Sequence, residues 1–325
     1  MIYFDNAATG GCKPQSVVSA AAAALTACAN AGRSGHALSL ACAERIQSVR
    51  QILQRFFGAP SPDRVIFTKN CTEALNIALL GTLKRGDKVI TTVAEHNSVL
   101  RPLKHLEGAG VTVRYVPLDK NGKIDLKAFA SLADDSTTAA VVTLASNVTG
   151  IAPDICAVKR LLPPSAALIC DGAQACGHVN IDITSLGIDA LAVAGHKGLL
   201  GIQGSGALIM SERFSPRPVM FGGTGSASYS LDMPAFYPDM LEAGTLNYPA
   251  IVALGEGVLY LKPRLYEHID YMVYLTEMVI NGLAENANVK VYSRANPFGI
   301  VAFDVEGLPS EEVVPNNRPP SPQHL

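Results

Sequence analysis

Ile188-Asp-Ala-Leu-Ala-Val-Ala-Gly-His-Lys197-Gly-Leu-Leu-Gly201 is the stretch from which the fold can be read. The apolar run from Ala190 to Ala194 reads as a buried strand, and Gly195 breaks it. His196 and Lys197 follow at once, and a glycine-rich segment then runs to Gly206. A lysine just past the end of a buried strand sits in poor solvent. Desolvation disfavours its charged form, which makes the amine a candidate nucleophile and Schiff-base former. Taken alone, such a residue is more often a surface lysine in a loop. The rest of the chain decides against that.

Outward from this stretch the pattern alternates. Strands are expected over 65–68, 88–92, 111–116, 139–144, 167–170, 189–194 and 206–210. Helices fall between them over 72–83, 98–109, 126–133 and 155–162. Near-continuous apolar strands separated by helices indicate an α/β fold, a mostly parallel seven-stranded sheet covered on both faces. Ahead of it lie an extended lead-in over 3–9, an Ala-rich helix from Ser16 and a polar loop over 30–36. A helix follows in which Ile46, Val49, Ile52, Leu53, Phe56 and Phe57 keep three-four spacing. Beyond Gly222 the texture changes to loop, two helices over 249–261 and 266–284, and two strands over 289–292 and 299–303. The expected division is a large domain over 1–245, with residues 1–30 packing on the small one. A smaller, incomplete α+β domain follows over 246–313, and then a disordered tail over 314–325, where four of twelve residues are proline.

Composition narrows the function. Lys+Arg 26 against Asp+Glu 28 leaves a net charge of -2, too balanced for a nucleic-acid partner, and the basic residues form no stripe. The N-terminus has no basic segment followed by an apolar one, and the apolar stretch 17–29 is too short to span a bilayer. The seven cysteines are odd in number and contain no CxxC pair. They read as mostly core thiols of a cytoplasmic protein, with neither a disulfide framework nor a metal site.

In open α/β sheets ligands bind beyond the carboxyl ends of the strands. Thr72 and Glu73, after the first strand, open a helix whose free amides, dipole and hydroxyl suit an anion. His96 follows the second strand and Asn147 the fourth. Asp171 and Gln174 follow the fifth; an aspartate leaving a buried strand needs a cationic or hydrogen-bonding partner. His196 and Lys197 follow the sixth. Each has a plain reading as helix cap, structural histidine or turn former. Together they match the needs of pyridoxal 5'-phosphate: an anion cradle, a carboxyl for the pyridine nitrogen and a lysine for the aldehyde.

The motifs Tyr3-Phe-Asp-Asn-Ala-Ala-Thr9, Arg33-Ser-Gly-His36, Thr72-Glu-Ala-Leu-Asn76, Glu95-His-Asn97, Ser146-Asn-Val-Thr-Gly150, Asp171-Gly-Ala-Gln174 and Gly195-His-Lys197 resemble, in order and spacing, the cysteine desulfurase family. That family is a class V aminotransferase branch of the fold-type I pyridoxal-phosphate enzymes. The resemblance runs from the first residues to about Val313. It implies conversion of L-cysteine to L-alanine with sulfur passing through a persulfide to an acceptor protein, in a homodimer. Lys197 would hold the cofactor and move protons at the substrate Cα, and Asp171 would keep the ring nitrogen protonated. His96 would stack on the ring and, as a second catalytic residue, relay protons. Asn147 and Gln174 would address the substrate carboxylate region and the phenolic oxygen. Thr72, the neighbouring amides with that of Cys71 among them, and His196 would hold the phosphate. Thr245, in Glu242-Ala-Gly-Thr-Leu-Asn247, would reach the phosphate of the partner subunit. Asn30, Arg33 and His36 match a loop near the site mouth. The family also carries a persulfide-forming cysteine and a carboxylate-binding arginine in its second domain. Here no cysteine follows Cys176 and only Arg318 follows Arg294, a pattern that resembles a C-terminal truncation. Cys71, Cys170 and Cys176 read as packing. The alternatives are another class V reaction on an amino acid, and a cofactor-binding scaffold without activity.

Overall fold

The computed structural model describes residues 3–31, 34–227 and 229–313. Two helices, α1 (Gln15–Thr26) and α2 (Ala37–Phe57), precede the sheet. Strands and helices then alternate: β1 (Val65–Thr68), α3 (Cys71–Thr82), β2 (Lys88–Thr92), α4 (Asn97–Gly108), β3 (Thr112–Val116), α5 (Leu126–Leu132), β4 (Thr137–Thr143), α6 (Ile155–Leu161), β5 (Ala167–Asp171), the short α7 (Ile183–Leu186), β6 (Ala190–Ala194) and β7 (Gly206–Met210). The strand order is β1-β7-β6-β5-β4-β2-β3. Neighbours from β6 to β3 run parallel, and only β7 is reversed, antiparallel to both β6 and β1. Every residue of β6 and β7 is buried, as expected of strands covered on both faces.

Alternation along the strands sends side chains into two cores. Leu168, Leu191, Val193 and Ile209 pack with Val49, Leu53 and Phe57 of α2 on one face. Ile169, Ala190, Ala192 and Leu208 pack with Leu75 and Leu79 of α3 and Leu103 of α4 on the other. α8 (Tyr248–Leu261) is apolar around most of its circumference and so must be buried on several sides. It packs on α1 and α2, and Ile251, Leu254 and Val258 join the first core. Its Gly257 touches the loop after Lys197: a Cβ there would stand 2.1 Å from Leu199 O, so only glycine lets the helix press on that loop.

The chain continues through α9 (Leu265–Ala284), β8 (Val289–Val291), β9 (Phe303–Val305) and α10 (Ser310–Val313), with β8 and β9 paired antiparallel. The strand expected over 299–303 is displaced: residues 294–300 form a loop, and pairing begins only at Phe303. The reason is the buried side chain of Asn296. Its Nδ2 donates to Arg294 O and Ile300 O, and its Oδ1 accepts from the amides of Phe298 and Ile300. These bonds satisfy the backbone without a ladder. The expected tail over 314–325 lies outside the described residues. Among the described residues no helix is long and apolar enough to cross a membrane, and no cluster of three His, Cys, Asp or Glu could hold a metal.

Candidate active site

The parallel register sets Thr143 of β4, Asp171 of β5 and Ala192 of β6 side by side, so these strands deliver their ends to one edge. A cavity of about 440 Å³ opens there. The turn into α3 contributes Asn70, Cys71 and Thr72, and the turn into α4 contributes His96 and Ser98. β4 and the loop after it supply Thr143 and Asn147, β5 and its loop Asp171 and Gln174, and the β6 exit His196 and Lys197. The lead-in from Asp5 to Ala8 closes one side, tied down by Gln174 Nε2 donating to Ala7 O at 3.2 Å and Gly10 N donating to His196 O at 3.0 Å. The loops bearing Gln174 and Lys197 meet backbone to backbone. A Cβ on Gly177 would lie 2.3 Å from the Gly198 carbonyl, so the contact needs glycine on both sides.

Asn70, not Thr72, caps α3: its Oδ1 accepts from Glu73 N at 2.9 Å. The amides of Cys71 and Thr72 have no partner among the described residues and point outward at the positive end of a twelve-residue helix. Asp171 is 3% exposed. Its Oδ1 accepts from Ala173 N at 2.9 Å and from the Cys71 thiol at 3.3 Å. Its Oδ2 has no partner among the described residues and is left for whatever enters the cavity. Burial and the neighbouring Asp171 carboxyl push the Cys71 thiol well above its ordinary range, so it serves as a donor, not as a thiolate nucleophile. Burial likewise raises Cys170 and Cys176, in line with packing roles.

Burial pushes the His196 imidazole down, and the charges of Lys197 and Lys13 act in the same direction. The ring is thus neutral at pH 7, with Nδ1 3.0 Å from Thr9 Oγ1. His96 lines the cavity and is the N-cap of α4, where Nδ1 accepts from Ser98 N at 3.1 Å and Nε2 has no partner among the described residues. Lys197 lines the cavity and is half-buried.

Three residues singled out in the sequence, Thr245, Asn30 and His36, lie outside this cavity. Thr245 lines a separate hollow of about 280 Å³ together with Asn30, Arg50 and Glu242. His36 caps α2, accepting from Ser39 N at 3.2 Å. Arg33 lies outside the described residues. Three others went unassigned in the sequence: Asn70, Ser98 and Glu95. The first two stand at helix starts, where a small polar residue just ahead of the apolar run is the available signal.

Glu95 is buried behind His96, with Oε1 accepting from Thr92 Oγ1 at 2.6 Å and Oε2 unpartnered. Burial outweighs its bond to Thr92 and pushes the carboxyl up to about 8. The folded chain therefore keeps this proton to about pH 8, whereas the unfolded chain releases it near the ordinary value of 4.5. Between those limits unfolding releases a proton, so this residue's contribution to stability falls as pH rises and levels off above about 8. Glu95→Gln cannot ionise. In denaturant titrations it should lose that slope and, at pH 8, exceed the parent in stability by on the order of a few kcal/mol. An unchanged slope would show that Glu95 ionises freely in the folded chain.

The aminotransferase class-V family model matches residues 2–315. A probable cysteine desulfurase of Methanothermobacter thermautotrophicus is 31% identical over 293 residues, 88% of this chain and 73% of that protein. The cysteine desulfurase of Salmonella typhimurium is 31% identical over 320 residues, 94% of this chain and 78% of that one. Among solved structures, an apo cysteine desulfurase from Thermococcus onnurineus superposes with a TM-score of 0.87 at 30% identity, over 96% of this chain and 80% of that one. A cysteine desulfurase from Escherichia coli gives a TM-score of 0.86 at 26% identity, with the same coverage of both chains.

Proposed function

The chain belongs to the class-V aminotransferases, within them to the cysteine desulfurase family, and on that premise we propose that it binds pyridoxal 5'-phosphate in the Lys197 cavity and removes sulfur from L-cysteine to leave L-alanine. The observation that carries this reading is Asp171: a buried carboxyl with one oxygen saturated and the other unpartnered toward the cavity. That suits a single N–H donor such as a protonated pyridine nitrogen. The unengaged amides of Cys71 and Thr72 and the neutral His196 suit the phosphate. Bound there, the cofactor would supply an electron sink for charge developing at the substrate Cα and Cβ.

The chain's own groups do the rest. Lys197 Nζ holds the cofactor and shuttles the proton at Cα. Asn147 and Gln174 orient the substrate, with Gln174 braced against Ala7 O. His96 lines the cavity with its ring proton on Nε2. The carbon–sulfur bond breaks as a thiol accepts the sulfur, giving a persulfide on the acceptor and alanine from the substrate. Cys71 is the one thiol on the cavity wall among the described residues and is held protonated, so the acceptor thiol in this reading comes from outside that wall. Thr245 would face the partner's phosphate in a homodimer; its place outside the cavity of its own chain supports this.

The test is borohydride reduction of the full chain incubated with pyridoxal phosphate, followed by peptide mapping, with an assay for alanine from cysteine run on a matched unreduced sample. A pyridoxyl label confined to Lys197 together with alanine is expected. A folded chain without that label sinks the cofactor assignment, and a labelled chain that yields pyruvate in place of alanine sinks the desulfurase reading.

A further inference from the structure

Ser98 stands between two groups that the proposed function uses for different purposes, and the role inferred for it rests on that function. Its Oγ lies 2.9 Å from Thr72 Oγ1 and 2.8 Å from His96 Nδ1, and all three residues line the cavity. The protons of this chain have one consistent arrangement. The backbone amide of Ser98 can only donate, and it donates to His96 Nδ1 at 3.1 Å. Nδ1 therefore carries a lone pair, and the ring proton sits on Nε2. Two lone pairs facing each other at 2.8 Å repel, so Ser98 Oγ–H also donates to Nδ1. Its only proton is then committed, and the hydrogen bond to Thr72 has to be donated by Thr72. The Thr72 hydroxyl proton thus points toward α4 and away from the open amides at the start of α3.

We propose that Ser98 is a positioning residue that couples the occupancy of the anion site at the start of α3 to the hydrogen bonding of His96. A phosphate on the Cys71 and Thr72 amides competes for the Thr72 proton, the nearest hydroxyl donor on that turn. Once Thr72 turns to the anion, Ser98 faces a bare Thr72 oxygen and can give its own proton there. His96 Nδ1 then keeps the backbone amide and loses the hydroxyl. No covalent bond changes; two hydroxyl rotors reverse direction. A filled phosphate position would therefore release one of the two bonds that fix the His96 ring, and do so before a substrate arrives.

The experiment uses the full chain, without cofactor, labelled with ¹⁵N and titrated with inorganic phosphate. The Cys71 and Thr72 amide signals report binding, and the His96 Nδ1 signal, assigned with His96→Gln, reports the relay. In the parent chain phosphate should shift both amides and move Nδ1 downfield, as a lone-pair nitrogen does on losing a donor. In Ser98→Ala the amides should still shift while the Nδ1 movement is at least halved. Thr72→Val, which leaves Ser98 and the α4 cap intact, should abolish the Nδ1 movement. Equal Nδ1 movement in the parent and in Ser98→Ala would overturn the relay, as would a still Nδ1 in a parent whose amides shift. Silent amides in the parent would remove the anion site, and with it both the relay and the cofactor assignment that underlies it.

Discussion

Lys197→Ala should lower the rate of alanine formation from cysteine by at least about a thousandfold, the range in which a positioned acid–base group acts. The expectation follows from what else the cavity offers. Among the described residues on its wall, Lys197 is the one amine, and the carboxyls and imidazoles beside it cannot hold an aldehyde as an amine does. Asp171 Oδ1 is saturated by Ala173 N and Cys71, and the Cys71 thiol is held protonated. His96 Nδ1 is occupied as a helix cap, and His196 Nδ1 lies on Thr9. The fold should be indifferent, because Lys197 is half-buried and lies outside both apolar cores. Its loss should change unfolding free energy by no more than about 0.5 kcal/mol. Lys197→Arg places a guanidinium there in place of an amine able to form a Schiff base, so it should be equally inactive. The phosphate contacts remain in both variants, so cofactor retention should weaken without vanishing. Either variant keeping more than about a tenth of the parent rate would remove Lys197 from the proton path.

The strands were legible because covered parallel strands are short, apolar and bounded by breakers, as in Ala190–Ala194 before Gly195. The site was legible because the strand ends lie on one edge, so residues far apart in sequence could be gathered by topology. Legibility failed where side chains replace backbone bonding. Asn296 satisfies four backbone groups and converts an apolar run expected to be a strand into a loop. Asn70 moves the start of α3 ahead of Thr72, and that shift decides which amides are free. The Thr72–Ser98–His96 chain was equally hidden, because it depends on rotamers across two helix starts. Hydrophobic pattern reports which face is buried; it carries no information on where a hydroxyl proton points.

Glu242→Ala should cost about 3–5 kcal/mol of stability, the loss expected when one member of a buried ion pair is removed. Arg50 and Glu242 are both buried, and the guanidinium meets the carboxylate through two bonds of 2.8 and 2.9 Å. The same carboxylate accepts Phe67 N at 2.7 Å, while Arg50 also donates to Val65 O and lies 4.6 Å from the Phe67 ring centroid. Deleting the carboxylate therefore strands a buried cation and an amide of β1 at once. The pair itself contributes little beyond its own desolvation, so Arg50→Met combined with Glu242→Leu should recover much of the loss. Denaturant unfolding of the two single variants and the double variant separates these cases; additive losses would contradict the coupling. The effect should also reach the site. β1 ends at Thr68, and Asn70 begins the cap of α3, so slack at Phe67 is passed within three residues to the amides assigned to phosphate. Glu242→Ala should therefore weaken phosphate binding while leaving Lys197 and Asp171 in place. Stability loss with unchanged phosphate affinity would show that α3 is held by the second core alone, independently of β1.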